Sequence, residues 1–295
     1  MKRVLVWAIF GCAVGCGKPD AAPPPPVQKG DVELLTPGTE PRQPVRYHLV
    51  KGATTASEFG VDMDMSDGQR DIKMPTFVLS VLIHVDDVLP DGRAKLRFTY
   101  TESKAVDRPG ASVPASVVAE QAGLLGGIAM TGTLSATGKF SDIAMVPSPK
   151  LTAALGDQLK ELTESVQQVA MPLPEQPVGA GASWRTNKPV VQNGMKLTMT
   201  STVTMTSLDG DALAFTSKTG IEGADQSVTQ GDTTMQISGI GGGGDGKGTI
   251  DLAKLAFAGQ LAAEFKATMR AMGETAPMNV KMVMRVAPQG AHSAP

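Results

Sequence analysis

Ser80, His84 and Asp86 are residue types that acid–base and nucleophilic chemistry uses, and all three stand at even positions of one apolar stretch. Same-face neighbours in an extended strand lie ~7 Å apart, so His84 and Asp86 can pair. Ser80 is two such steps from His84, beyond the hydrogen-bond reach that a nucleophile needs from its base. Two ligands also fall short of the roughly four of a structural metal site. The chain has only 3 histidines. His48 alternates outward beside Tyr47, and His292 lies in the C-terminal tail. The expectation is a solvated face with no catalytic residue, no metal and no cofactor, which argues against an enzyme.

The run from Gly241 to Lys247 imitates the start of a phosphate-binding loop. That loop needs Ser or Thr directly after its Lys, where Gly248 stands here. It also needs a helix N-terminus facing the phosphates, whereas Thr249-Ile250-Asp251-Leu252 reads as strand. The calcium-binding Gly-rich repeat fails as well, because its Asp would sit one residue later. The run reads as a flexible hairpin loop.

Methionine is the third candidate. Aromatic residues make up 4% of the chain and there are 16 Met, so thioether side chains fill space that rings normally take. The pairs Met63/Met65, Met195/Met199 and Met282/Met284 fall on the apolar faces of alternating segments. They serve as adaptable core filler, as the lining of a cavity for apolar ligands, or as soft ligands for Cu(I). Cu(I) sites usually gather Met and His into tight clusters, and no such cluster is visible in the linear order. These six residues are the candidates for an apolar ligand cavity.

The elements that must position these residues are strands. Met195, Leu197, Met199, Val203 and Met205 alternate with Lys196, Thr198, Thr200, Thr202 and Thr204. Met278, Val280, Met282, Met284 and Val286 alternate with Asn279, Lys281 and Arg285. Phe59, Val61, Met63 and Met65 oppose Asp62 and Asp64, and Phe77, Leu79, Val81, Ile83 and Val85 share a further face. One dry and one wet face per strand suits antiparallel sheet. Asp91-Gly92 and Asp209-Gly210 sit between such runs, where positive φ is needed for a hairpin. Leu151, Leu155, Leu159, Leu162, Val166 and Val169 instead recur at helical spacing, after Ser148-Pro149 and before Pro172. A weaker helical pattern covers 115–125.

The chain is therefore expected to be mainly β: a large curved antiparallel sheet or incomplete barrel over 44–287, with one long amphipathic helix over 148–171. The helix would join two related halves, 44–147 and 172–287. Gly52-Ala53-Thr54 opens the first and Gly181-Ala182-Ser183 the second, and Gly132-Thr133-Leu134 matches Gly248-Thr249-Ile250.

Both cysteines, Cys12 and Cys16, precede this region. Met1-Lys2-Arg3 and a short apolar run lead into Ala13-Val14-Gly15-Cys16, which resembles the lipobox of bacterial lipoproteins. Residues 1–16 would then be a signal peptide, with Cys16 acylated after cleavage. Several acyl chains make membrane residence durable where one is marginal. Gly17 follows the Cys, and the absence of Asp there resembles the pattern sorted to the outer membrane of a Gram-negative envelope. Residues 17–43 are Pro-rich and read as an extended tether, and 288–295 as a disordered tail. The Gly-led strand openings, the Pro172-to-Val178 segment and the Gly248-to-Leu252 hairpin are similar to a family of uncharacterised bacterial lipoproteins with Met-rich strands. That resemblance implies architecture alone.

Net charge is -2, with no basic arm, so no field recruits nucleic acid. The expected partners are the membrane, through the acyl chains, and an apolar ligand such as a lipid. The alternative is a structural or protein-interaction lipoprotein without a small-molecule ligand.

Overall fold

The computed structural model describes residues 32–148, 170–192, 194–230, 233–271 and 274–289. The expected signal peptide with Cys16, residues 17–31 of the expected tether and most of the expected tail lie outside them. Before the central gap come β1 (Glu33–Thr36), β2 (Thr54–Ser66), β3 (Asp71–Lys73), β4 (Thr76–Val88), β5 (Ala94–Val106), β6 (Ala129–Leu134) and β7 (Phe140–Met145). After it come β8 (Ser183–Gln192), β9 (Met195–Asp209), β10 (Ala212–Glu222), β11 (Gln226–Gln230), β12 (Thr233–Asp251), β13 (Ala256–Ala271) and β14 (Glu274–Pro288). One helix, α1 (Ala115–Gly123), is present among the described residues.

All the strands join one antiparallel sheet in the order β1-β8-β9-β10-β12-β13-β14-β2-β4-β5-β6-β7, with β11 on β12 and β3 on β2. Most steps along this path are hairpins between strands consecutive in the chain. Two steps join segments distant in the chain: β1 against β8, and β14 against β2, which pairs residues 279–288 with 57–66. Gly92 (φ +81°) and Gly210 (φ +54°) supply the left-handed backbone of the expected Asp-Gly turns.

The sheet is strongly curled but not closed. Six strand-to-strand steps separate β12 from β6, about 29 Å at 4.8 Å each if the sheet were flat. Yet the neighbouring residues Tyr47 and His48 reach both ends of that span: the Tyr47 amide donates to the Ala136 carbonyl (2.9 Å) and the His48 amide to the Leu252 carbonyl (3.2 Å). The strap carrying them seals one end of the curl. A second strap runs antiparallel to it, with Gln43 bridged to Val178 and the Leu173 amide donating to Thr137.

The core fills this sealed end. Tyr47, Leu96, Phe98, Met130, Leu134, Leu173, Trp184, Met205, Leu213 and Ile250 are buried in one cluster that draws on both halves of the sheet. Phe98 meets Phe140 edge-on at 5.6 Å. The buried phenol of Tyr47 is paired, as burial requires. The Tyr47 hydroxyl donates to the Met171 carbonyl (3.0 Å) and accepts from the Met171 amide (3.1 Å). Burial pushes the Tyr47 phenol far above its ordinary range, so the ring stays neutral.

Several expectations need correction. The Gly241-to-Lys247 run is no loop: it lies within β12, hydrogen-bonded on both sides. Residues 32–43 are not free tether, because β1 pairs with β8 and the Thr39 amide donates to Ala180. Of the helix expected over 148–171, Ser148, Ala170 and Met171 are non-helical, and the residues between lie outside the described ones. The weaker helical pattern did form, as α1. Its first amide, on Ala115, donates to the Asp107 carboxylate at 2.6 Å.

The Gly-Ala openings of the two proposed halves make the same contacts. The Gly52 amide donates to the Val85 carbonyl and Val85 returns a bond to Ala53; Gly181 and Ala182 do the same with Met205. A tight turn also recurs, with Ala53 donating to Val50 and Ala182 to Gly179.

Candidate apolar site

Cross-strand register decides which side chains share a face, because directly paired residues project to the same side. One row reads Met199, Ile221, Gly242, Phe265, Val280 and Met65, crossing β9, β10, β12, β13, β14 and β2 in turn. The next is Ser201, Thr219, Gly244, Ala263, Met282 and Met63. The third is Val203, Ser217, Gly246, Leu261, Met284 and Val61. No charged side chain stands in these three rows. This face runs on into the buried core of the sealed end, through Val203, Met205 and Leu213.

Away from that end the face is only half-buried. Met63, Met65, Val61, Phe265, Val280, Met282 and Met284 are all of intermediate exposure. Of the six Met candidates, Met63, Met65, Met282 and Met284 are thus brought together on β2 and β14, while Met199 stands across the sheet from them. Met195 lies further along β9 and packs with Met278 and Met269 around a satellite cluster of Leu197, Val228, Ile237 and Ile240.

The small residues between these groups have a steric reason. A Cβ on Gly242, Gly244 or Gly248 would land on a backbone carbonyl oxygen of β13, and one on Gly246 would strike Ser217 Oγ. Gly259, opposite Gly248, is equally tight against Lys247. Glycine is therefore what permits β12 and β13 to crease so closely. Sequence reading missed this function because Gly in a strand and Gly in a loop look alike without the neighbouring strand.

The opposite face is polar, and a charged knot fixes β2 there. Asp62 accepts from Thr76 Oγ1 (2.6 Å) and Arg285 Nη1 (2.8 Å), with Arg108 Nη1 at 3.9 Å. Arg108 also donates to the Met63 and Met74 carbonyls and pairs with Asp64. Burial is the largest single influence on Asp62 and pushes its carboxyl up, but Thr76, Arg285 and Arg108 together outweigh it and hold it below the usual range. A carboxylate so held stabilises the fold above its unfolded pKa of about 3.9 and loses that contribution as pH falls through its lower folded value. Asp62→Asn is therefore expected to lower the urea midpoint most at neutral pH and progressively less below pH ~4. An equal deficit at pH 7 and pH 2.5 would contradict this account.

His84 and Asp86 do share the outward face, with His84 Nε2 3.8 Å from Asp86 Oδ1. His84 Nδ1 bonds Thr54 Oγ1 (2.9 Å), and Arg97 takes the other Asp86 oxygen (3.3 Å). Ser80 is fully buried, and its hydroxyl has no partner among the described residues. It does not join the pair. Among the described residues no three His, Cys, Asp or Glu converge on a metal-sized space. Two open clefts, of about 510 and 610 Å3, lie over β9, β10, β12 and β13: Thr202, Thr204 and Lys218 line the first, both share Thr216, Lys247 and Gln260, and the second extends to Phe215 and to Arg285 and Val286 of β14. Both clefts thus open over the wet face of these strands.

The geometry defines a class: a single curled antiparallel β-sheet, sealed at one end, with an apolar inner face. Residues 150–254 match the model of a family of unknown function, DUF6263, a stretch that takes in β8 to β12. No curated protein matches the chain. No helix among the described residues is long and apolar enough to cross a membrane.

Proposed function

We propose that this chain is a lipoprotein of the cell envelope, held to the outer membrane by acyl chains on Cys16, whose curled sheet takes up an apolar ligand. The carrying observation is the uncharged, half-exposed face formed by Met63, Met65, Met282 and Met284 with Val61, Val280 and Phe265. Flexible thioether chains adapt to ligands of variable shape, and an apolar concavity with a sealed end suits a lipid chain. The two halves are read as related modules, supported by their matching Gly-Ala contacts. The reading is of binding rather than catalysis.

Lipid is expected to remain bound in native mass spectra after gentle purification, and a fluorescent fatty acid to compete with it. Met63→Lys and Met282→Lys, each placing a charge on the dry face, should weaken that binding at least tenfold with the fold intact. Unchanged affinity in both variants would defeat the reading and leave the protein-interaction alternative. Anchoring is tested separately: Cys16→Ser should leave uncleaved precursor that no longer partitions as a lipoprotein.

A further inference from the structure

Two Met-x-Met segments distant in the chain, Met63-Asp64-Met65 and Met282-Val283-Met284, lie on adjacent strands and face the same way. Met63 is directly opposite Met282, Met65 is opposite Val280, and Met284 is opposite Val61. Opposed Cβ atoms in such a pair are about 5 Å apart, diagonal ones about 7–8 Å, and same-strand neighbours about 7 Å. Each sulfur lies two bonds beyond its Cβ on an unbranched, freely rotating chain. Met63 and Met282 can close these gaps together with either Met65 or Met284. Met65 and Met284 themselves stand about 14 Å apart, on opposite sides of that pair, so three thioethers at a time can turn toward one point.

The surroundings favour one chemistry. Asp62, Asp64 and Lys281 alternate to the other face, so no carboxylate or amine accompanies the sulfurs. Beside Met282, on β13, stands the short side chain of Ala263. All four Met are half-exposed and reachable from solvent. Hard divalent ions need oxygen ligands, which this face does not offer. Thioethers select Cu(I), and its redox-inert analogue Ag(I). A single positive charge with neutral ligands also carries the smallest desolvation cost of any metal ion on an apolar surface. We propose that Met63 and Met282, with Met65 or Met284 as the third sulfur, form a thioether site for a soft monovalent cation, Cu(I). The ion enters and leaves as Cu(I), so no electron is transferred. This goes beyond apolar-ligand binding, because it depends on sulfur rather than on apolar area.

The test uses the full chain with Cys12→Ser and Cys16→Ser, so that no thiol competes, and with ¹³C-labelled Met methyl groups. Ag(I) in chloride-free buffer should shift the methyl signals of the four Met and saturate at one equivalent, while buried Met130 stays still. The double variant Met63→Leu/Met282→Leu keeps apolar volume and removes two sulfurs; it should bind Ag(I) at least tenfold more weakly yet retain fatty-acid binding. Met65→Leu/Met284→Leu is the second arm if the first fails to fold. Anaerobic titration of Cu(I) against a chelator should give the same ranking. Absence of stoichiometric saturation, or equal affinity in a folded Leu double variant, overturns the proposal. Unchanged fatty-acid binding in the Lys variants defeats the ligand reading alone, while stoichiometric Ag(I) saturation still supports this one.

Discussion

Trp184→Ala is expected to lower the unfolding free energy by about 3–5 kcal/mol, the range for removing a large aromatic ring from a core that cannot collapse. Trp184 is 0% exposed and belongs to the cluster filling the sealed end of the curl. Its indole Nε1 also donates to the Pro172 carbonyl at 2.8 Å, tying the second strap to β8. Truncation removes the packed surface and leaves that carbonyl without its donor, so the two losses act together. Trp184→Phe should cost less, because a ring remains. Val117→Ala, on α1 with 65% exposure, should be nearly silent. Urea unfolding of the three variants checks the ranking. A Trp184→Ala midpoint near that of Val117→Ala would show that the straps do not seal the core.

Gly244→Ala should destabilise by about 1–3 kcal/mol or abolish folding, although alanine is ordinarily the better residue in a strand. Its Cβ would fall on the Ala262 carbonyl oxygen and lie 2.8 Å from the Ala263 Cβ. Neither is the flexible end of a long side chain, so the strands themselves must part. Three residues away, Gly241→Ala meets nothing within 4 Å. That substitution should be neutral, or stabilise by up to about 1 kcal/mol through lost freedom in the unfolded chain. Two glycines of one run thus give opposite signs, because Gly242, Gly244, Gly246 and Gly248 face the crease and Gly241 faces away. Thermal melts of both variants decide it. Equal effects at 241 and 244 would mean the run is a loop after all.

The pairing of β14 with β2 has the widest consequence. It juxtaposes Met282 with Met63 and Arg285 with Asp62, on opposite sides of the same two strands. The apolar side carries the proposed ligand and Cu(I) chemistry, and the charged side holds the register. A one-residue slip would exchange the faces, placing Asp62 and Asp64 among thioethers and Met63 in water. The Asp62–Arg285 and Asp64–Arg108 pairs oppose that slip.

What the residue order determined by itself is local: which side chains share a strand face, and where hairpins turn. Alternation of Met and Val with Thr, Lys and Asp is a property of neighbouring positions, and so is the Asp-Gly preference for left-handed backbone. The tertiary structure decided everything that depends on which strands become neighbours. Whether Met63 meets Met282, whether a glycine marks a loop or a crease, and whether residues 33–36 are tether or strand all turn on contacts between distant segments. Such contacts are selected by burial and packing of the whole sheet, and a strand's own period records only that it has a dry face, not what will lie beside it.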